Sequence, residues 1–337
     1  MQLKFTRETD FRQERDFGAK IGSTFEFLGA HWRPLGKCLA YFVLPVSLLA
    51  GIGLGLVTNG MWNVAADNAQ SARNGTITAS ASSASMFGVS YFVGVGLAIV
   101  SGVIAFTMLL STLYAYTRIL LTEEPNVALT PARVWKQIKA GLGRMLAAMG
   151  TLCGLYMLLA GGFVALVSIV GGGAGMVVVF LVFLVLMPVI LYVMVPLSLF
   201  FPALWMENSG VLETLRRCFY LVRGNWWASF GLLLVAGMIQ GMLTFLFILP
   251  QYAVMFGKIL KIPVLGSDAF GIAAQCFYAL GITFTYSVSL LAMLFQYFHL
   301  VEEKEGLGMR NLVDSLGNGP APVAYNSTYR PDGDGEY

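Results

Sequence analysis

The fold is decided by stretches such as FGVSYFVGVGLAIVSGVIAFTMLLSTLYAYT, residues 87–117, which contains no Asp, Glu, Lys, Arg or His. A helix needs about 20 mainly apolar residues to cross the hydrocarbon core of a bilayer. Six stretches of the chain meet this requirement without any charged residue or histidine. They are residues 39–58, 87–117, 146–170, 174–203, 228–249 and 270–298. The sequence therefore predicts an all-α, polytopic membrane protein with six transmembrane helices.

The composition of the whole chain points the same way. Of its 337 residues, 57% are hydrophobic and 12% are charged, and the mean hydropathy is +0.72. Because soluble domains carry about 25% charged residues, half that value is typical of a membrane protein. The net charge of +3 is small and scattered, so the sequence predicts no nucleic-acid partner. The four cysteines form no CxxC pair, and we interpret them as small apolar side chains.

The basic residues predict the orientation in the membrane. The segments before span one, between spans two and three, between spans four and five and after span six carry 18 of the 21 Lys and Arg residues. The three on the other side are Arg73, Lys258 and Lys261. Since cytoplasmic connections are enriched in Lys and Arg, we predict that both termini are cytoplasmic.

This topology divides the chain into three parts. Residues 1–15 are predicted to be an N-terminal cytoplasmic segment, residues 16–314 the membrane domain, and residues 315–337 a disordered cytoplasmic tail. On the outer side, residues 59–86 are rich in Ser, Ala, Asn and Gly, so we expect a flexible loop. Residues 250–268, with two prolines, are expected to form a second long outer loop.

An amphipathic stretch precedes each odd-numbered span. In the first stretch, Asp16 is a predicted N-cap and Pro34 a predicted helix stop. Its apolar positions are Phe17, Ile21, Phe25, Leu28 and Trp32. In the second, Pro131 follows the N-cap Thr130, and the apolar positions are Val134, Ile138, Leu142 and Met145. In the third, Ser209 is the predicted cap, and one apolar row contains Val211, Leu215, Cys218 and Val222. We predict that these helices lie in the inner membrane interface, facing acyl chains or the bundle.

The segment PALWMENSGVLETLRRCFYLVRGNWW, residues 202–227, is the most distinctive part of the chain. It resembles the bacterial membrane-domain family named after the membrane region of glycerophosphoryl diester phosphodiesterase. The resemblance rests on Pro202, Glu207, the helix TLRRC at 214–218, Gly224 and the Trp pair at 226–227; Thr and Cys stand where that family usually has Ala and Ser. The resemblance implies a bacterial cytoplasmic (inner) membrane protein. It implies an enzyme only where a phosphodiesterase domain follows, and about 20 residues of loop-like tail follow Asp314.

The sequence contains no recognisable catalytic or metal-binding pattern. Metal sites need convergent His, Cys or carboxylate ligands, and the two histidines, His31 and His299, are far apart in the chain. We therefore predict no metal, no cofactor and no enzymatic activity. The function predicted instead is that of a non-catalytic membrane domain that interacts with membrane lipids or organises another membrane or cytoplasmic protein.

Basic and aromatic residues of the cytoplasmic helices are the predicted contact sites for headgroups or a partner. The predicted contact residues are Arg216, Arg217, Arg223, Lys136 and Lys139. The predicted interfacial anchors are Trp32, Trp226 and Trp227.

Two other functions stay open at this stage. A carrier of a lipid-like substrate would use span four, which Pro188, Pro196 and Pro202 are predicted to kink. A membrane-embedded lipid-modifying enzyme would need a cluster of cytoplasmic carboxylates. The carboxylates available for such a cluster are Glu123, Glu124, Glu207 and Glu213.

Small and polar residues within the spans predict how the helices pack. The pairs Gly51–Gly55, Gly150–Gly154 and Gly237–Gly241 each place two glycines one turn apart on one helix face, which favours close packing within the bundle. Polar residues at depth either line a transport path or form hydrogen bonds between helices, and we favour the hydrogen bonds. These residues are Gln240, Gln275, Gln296, Thr283, Thr285 and Tyr286.

Overall fold

The computed structural model describes residues 5, 8–74, 88–122, 130–170 and 173–306, and every regular element within them is a helix. The first five helices are α1 (Glu8–Phe11), α2 (Phe17–Phe42), α3 (Leu44–Arg73), α4 (Val89–Thr122) and α5 (Pro131–Val170). The next five are α6 (Gly173–Ser198), α7 (Phe200–Glu207), α8 (Val211–Val222), α9 (Trp226–Ile259) and α10 (Asp268–Glu305).

Six helical segments are long and apolar enough to cross a membrane. They are Leu44–Arg73, Val89–Thr122, Pro131–Ala165, Val179–Glu207, Trp226–Ile259 and Asp268–Glu305. The predicted all-α polytopic membrane fold with six spans is therefore confirmed. With 38 residues, α10 is about 57 Å long at 1.5 Å per residue, which exceeds the roughly 30 Å hydrocarbon core.

The core lies around the second halves of α4 and α10. Residues 109–117 of α4 and 291–298 of α10 are all buried. Phenylalanines from distant parts of the chain join this core: Phe5 and Phe11 pack against Phe27 of α2 and Phe295 of α10 at ring-centroid distances of 5.6 to 6.2 Å. Phe5 and Phe11 thereby pack against the second half of the last helix, α10.

Glycines bring α3 into close contact with both α4 and α10. A Cβ atom at Gly51 would lie 2.8 Å from the Cα of Cys276 in α10, and one at Gly53 would lie 2.6 Å from the backbone nitrogen of Ala98 in α4. Such distances are well below ordinary contact, so only glycine permits these approaches. Gly55 makes a similar approach to α10, and the predicted role of the first glycine pair is confirmed.

The other two glycine pairs do not have the predicted role. A Cβ atom at Gly150, Gly154, Gly237 or Gly241 would meet no atom within 4 Å. These glycines lie on faces of α5 and α9 that are not packed against neighbouring helices within the described residues. Spacing alone therefore did not distinguish a packed glycine pair from an unpacked one.

Hydrogen bonds join α9 and α10 along most of their length. Gln296 donates to Ser229 over 2.9 Å, and Ser289 donates to Gln240 over 2.7 Å. Further along, the hydroxyls of Thr244 and Thr285 are 2.8 Å apart. The preferred interpretation, bonds between helices, is confirmed for Gln240, Thr285 and Gln296.

The bundle has two chemically distinct ends. At one, the Nζ of Lys258 lies 2.6 Å from Asp268 and 2.8 Å from the amide oxygen of Asn63. We call this the lysine end. At the other, which we call the arginine end, lie Arg118, Arg144, Arg217 and the last turn of α10.

Two helix boundaries predicted at prolines are wrong, because the helices continue through Pro34 and Pro250. Pro34 lies within α2, whose following residues Leu35, Cys38 and Leu39 are buried. Likewise α9 runs through Pro250 to Ile259, so the predicted loop 250–268 shrinks to residues 260–267. Buried residues follow each proline, Leu35 and Cys38 after Pro34 and Gln251 and Val254 after Pro250, and their packing offsets the lost hydrogen bond.

Two other predictions are wrong at α3 and α8. Residues 59–73, predicted as part of a loop, continue α3; residues 75–87 lie outside the described part of the chain. The N-cap of α8 is Gly210, not Ser209, whose hydroxyl instead lies 2.8 Å from that of Thr214. The predicted tail, residues 315–337, also lies outside the described residues.

The prolines of the fourth span have different positions relative to its break. The helix is interrupted at Leu199, between α6 and α7, three residues after Pro196 and three before Pro202. Pro188 lies within the continuous part of α6. The interruption therefore accompanies the second and third prolines.

Candidate functional site

Helix α2 buries the face that the sequence analysis did not choose. The buried row is Lys20, Thr24, Phe27, His31, Leu35 and Cys38. On the outside, Phe17, Phe25, Trp32 and Tyr41 are 42%, 43%, 62% and 76% exposed. Three residues of the predicted apolar row of α2, Phe17, Phe25 and Trp32, therefore face away from the protein, Ile21 and Leu28 are half-buried, and a row that contains lysine and histidine faces inward.

The buried row of α2 is electrostatically constrained. Desolvation lowers the pKa of Lys20, and the nearby carboxylates of Glu303 and Asp16 partly oppose this effect. Desolvation also lowers the pKa of His31, whose ring stacks on Phe27 at 4.8 Å. Lys20 and His31 are therefore buried at a desolvation cost, while large aromatic side chains remain exposed on the other face of α2.

A groove of about 540 Å³ lies between α2 and α10. Its walls are mainly apolar and include Leu28, Leu39 and Phe284. Two exposed cationic residues, Arg33 and Lys37, also line it. The guanidinium of Arg33 lies 5.8 Å from the ring centre of Trp32. Apolar walls with cations beside them fit a molecule that has an acyl chain and an anionic head.

A second cavity, of about 300 Å³, lies at the arginine end. Residues from four helices and from the segment after α1 line it, including Arg12, Arg118, Glu207, Arg217, Tyr297 and Glu305. We call it the arginine cavity.

Ion pairs hold one side of the arginine cavity. The Nε of Arg217 lies 3.0 Å from Glu207, and its Nη1 lies 2.5 Å from Glu305. Tyr297 donates to the same carboxylate oxygen of Glu207 over 2.9 Å. The hydrogen bond to Glu305 and, after it, that to Glu207 raise the pKa of Arg217, against desolvation. Arg217 therefore joins α7, α8 and the end of α10.

Two further guanidiniums meet beside the cavity: Arg118 lines it, whereas Arg144 of α5 is not among its lining residues. The Nη1 of Arg118 and the Nη2 of Arg144 each donate to the Oδ1 of Asn208 over 2.7 Å. The two nitrogens therefore lie no further apart than twice that distance. At an effective dielectric constant of about 20, two unit charges about 5 Å apart repel by roughly 3 kcal/mol before further screening. Within the described residues, neither arginine has a carboxylate partner.

The local backbone places Asn208 between the two arginines. Asn208 ends α7 with a φ of +53°, in the left-handed region that asparagine tolerates better than most residues. This reversal directs the chain from α7, whose last residue is Glu207, into α8. Arg118 also donates to the backbone oxygen of Trp205 over 3.2 Å, which connects α4 to α7.

The five predicted contact residues do not form one cluster around this cavity. Arg217 lines it, but ion pairs occupy its guanidinium. The side chains of Arg216 and Arg223 on or beside α8 are exposed, as are those of Lys136 and Lys139 on α5. Sequence reasoning missed Arg118, Arg144 and Asn208, because the contacts among them join residues 64 to 90 positions apart.

The predicted tryptophan anchors divide into exposed and packed side chains. Trp32 and Trp227 are 62% and 78% exposed. Trp226 is half-buried: its ring stacks on Tyr192 and Phe230 at 5.8 and 5.2 Å. Trp226 therefore joins α6 to α9.

The residues weighed for the two other functions are not assembled in the described structure. Glu207 is paired with Arg217, Glu213 is exposed on α8, and Glu123 and Glu124 lie outside the described residues. The described residues contain no group of three or more His, Cys, Asp or Glu that could hold a metal ion. No residue of α6 lines the groove beside α2 or the arginine cavity, but Met206 and Glu207 of α7, at the end of the fourth span considered for a carrier, line the arginine cavity.

No protein-family model, curated protein or solved structure matches this chain. The resemblance to the phosphodiesterase membrane-domain family therefore stays a prediction.

Proposed function

We propose that this is a non-catalytic membrane protein that binds anionic lipid at its arginine end. The observation that carries the proposal is the orientation of α2. Its exposed aromatic residues form a face that water would not stabilise, whereas aromatic residues are favoured at the membrane interface. An interfacial α2, with Arg33 and Lys37 near the headgroups, is consistent with this pattern.

The same proposal includes an orientation of the protein in the membrane. The arginine end faces the cytoplasm of a bacterium, both termini are cytoplasmic, and the protein lies in the inner membrane. The bias of 18 to 3 in Lys and Arg supports this orientation. Arg216, Arg223, Lys136 and Lys139 then add positive charge on the surface that meets the negatively charged leaflet. The predicted role in organising a partner protein stays an alternative.

Lipid retention tests the proposal. The full chain is reconstituted in nanodiscs of mixed phosphatidylglycerol and phosphatidylcholine, then released, and the lipids that stay bound are measured by native mass spectrometry. We expect retained phosphatidylglycerol to fall by at least about half in the double variant Arg33→Gln/Lys37→Gln, because a cation near the headgroups contributes about 1 kcal/mol.

The matched control removes two cations from the lysine end, Arg73→Gln/Lys261→Gln, where both side chains are exposed. This control should retain phosphatidylglycerol like the unmodified protein. Equal retention by both double variants and the unmodified protein would contradict the proposed lipid-binding face.

A further inference from the structure

We propose that a pocket at the lysine end binds a zwitterion of the phosphoethanolamine type, with its ammonium group at Asp67 and its phosphate at Lys261. The pocket lies between the second half of α3 and the end of α9 with the turn that follows it. It is separate from the groove beside α2, so it does not depend on lipid binding there. The zwitterion can be a lipid headgroup or a soluble molecule, and experiment separates the two sources.

The pocket has a volume of about 400 Å³ and walls from two spans. One wall is a single face of α3, because Asn63, Asp67 and Gln70 follow one another at a spacing of four and three residues. Lys258 near the end of α9 and Lys261 in the turn after it belong to the other wall. The volume is within the range of small-ligand sites.

Two opposite charges line this pocket without a partner. Asp67 and Lys261 are both exposed, and within the described residues neither side chain makes an ion pair, with the other or with any third residue. A simple cation is attracted by Asp67 and repelled by Lys261, and a simple anion experiences the reverse. A molecule that carries both charges is attracted by both side chains. The pocket therefore favours a zwitterion.

Lys258 gives the pocket a fixed polar wall that adds no net charge. Its side chain is only 3% exposed and pairs with Asp268, with 2.6 Å between Nζ and Oδ1. The same Nζ donates to the Oδ1 of Asn63 over 2.8 Å. Because this oxygen faces a donor, the amide nitrogen of Asn63 is left to donate to a phosphate oxygen. With one further charge of each sign, on Asp67 and Lys261, the site is neutral overall, as a phosphoethanolamine headgroup is.

The backbone at Lys261 has a conformation that usually selects glycine. Helix α9 ends in a Schellman motif, in which Ile262 donates to the backbone oxygen of Gly257 over 2.9 Å and Lys261 donates to that of Lys258 over 3.3 Å. Lys261 has a φ of +56°, in the left-handed region where L side chains are disfavoured. A lysine at this place indicates a use for its side chain that glycine does not meet.

The lining residues favour a primary ammonium group over a quaternary one. A primary ammonium donates three hydrogen bonds, and Asp67 and Gln70 offer acceptor oxygens on the same face of α3. A quaternary ammonium donates none and is recognised by aromatic rings. Among the described residues that line the pocket, none is aromatic. The pocket also follows the apolar stretch 39–58 of the first span, which places it at the level of lipid headgroups.

Binding to the full chain in nanodiscs tests the proposal with matched probes. The lipid arm uses nanodiscs with equal amounts of phosphatidylethanolamine and phosphatidylcholine and measures the lipids that stay bound by native mass spectrometry. The soluble arm adds glycerophosphoethanolamine or glycerophosphocholine to protein in phosphatidylcholine nanodiscs and follows the thermal unfolding temperature. We expect the ethanolamine probe to be preferred in at least one arm. Neither arm contains an anionic lipid, so the result is independent of the lipid binding proposed at α2.

Variants assign the preference to the pocket. Asp67→Asn keeps the size of the side chain and removes its charge, so binding of the ethanolamine probe should weaken about 3- to 10-fold. Lys261→Gly should weaken binding to a similar extent without lowering the unfolding temperature of the ligand-free protein, because glycine suits the positive φ. Arg73→Gln removes an exposed charge at the end of α3 that does not line the pocket, and should bind like the unmodified protein.

The two arms also identify the source of the zwitterion. Stabilisation by glycerophosphoethanolamine shows that a soluble zwitterion is a sufficient ligand, whereas a preference for phosphatidylethanolamine alone identifies a lipid headgroup. The proposal is overturned if neither ethanolamine probe is preferred over its choline counterpart. It is also overturned if Asp67→Asn and Lys261→Gly, with helical content unchanged, bind the ethanolamine probe as well as Arg73→Gln does.

Discussion

A methyl group added at Gly53 should push α3 away from α4. The new Cβ atom would lie 2.6 Å from the nitrogen of Ala98 and 2.9 Å from the oxygen of Gly94, whereas favourable contacts between heavy atoms need about 3.5 Å or more. The backbones must therefore separate by nearly 1 Å. Overpacking of this kind costs about 1–3 kcal/mol.

The change Gly60→Ala in the same helix is the matched control, because its Cβ would meet nothing within 4 Å. Both changes gain about 0.5–1 kcal/mol from the helix preference of alanine over glycine. The difference between the two variants therefore isolates the contact with α4. A difference of 1–3 kcal/mol corresponds to roughly 1.4 to 4 °C in unfolding temperature for a chain of 337 residues.

The assay is thermal unfolding in detergent, followed by circular dichroism at one protein and detergent concentration. We expect Gly53→Ala to unfold below the unmodified protein, and Gly60→Ala to unfold at or above it. If Gly53→Ala is as stable as Gly60→Ala, the close approach of α3 and α4 is refuted.

Three other predictions concern titratable side chains. Burial lowers the pKa of His31, so its contribution to stability is present above about pH 6.5 and is lost as the pH falls; His31→Phe should therefore show a smaller drop in unfolding temperature between pH 7 and pH 5 than the unmodified protein. Burial also raises the pKa of Cys218 to about 12, so site-resolved mass spectrometry should find little alkylation of its thiol at pH 8 until denaturant is added. Lys258→Met should lower stability by about 1.5–3 kcal/mol, because buried hydrogen bonds to a charge are lost. The exposed Lys261→Met should change it by less than about 0.5 kcal/mol, and equal unfolding temperatures for these two variants would contradict the buried network.

The sequence predicted the number of spans because the cost of placing charge in hydrocarbon is large and local. It also predicted the apolar rows of the amphipathic segments at the start of α5 and in α8, although it left open whether acyl chains or the bundle covers them. On α5, Val134, Ile138 and Met145 are buried, and on α8, Cys218 and Val222 are buried. In these helices the predicted apolar row contains the buried residues, so the protein core covers it.

The same reasoning did not resolve α2. Periodicity finds an apolar face but does not say whether protein or lipid covers it. Here Trp32 faces outward, while His31 packs between Phe27 and Tyr116. Which face of α2 is buried depends on the side chains of α4 and α10 that pack against it. These two helices lie far from α2 in the sequence.

The arginine cavity was beyond sequence reasoning for a similar reason. Arg118 follows a predicted span and Arg144 precedes the next one, so both were counted only as topology signals. Their meeting at Asn208 depends on the reversal after α7. Arg217, which lines the same cavity, was predicted as a contact site. Its guanidinium instead forms ion pairs with Glu207 and Glu305, so it holds helices together.

Labelling from one side of the membrane tests the central claim, that the arginine end is cytoplasmic, most directly. In a background without native cysteines, Lys261→Cys and Arg216→Cys are treated separately with a membrane-impermeant maleimide in spheroplasts. We predict that Lys261→Cys is labelled at once and that Arg216→Cys is labelled only after the membrane is permeabilised. Labelling of Arg216→Cys in sealed spheroplasts would contradict the orientation and the lipid-binding role built on it.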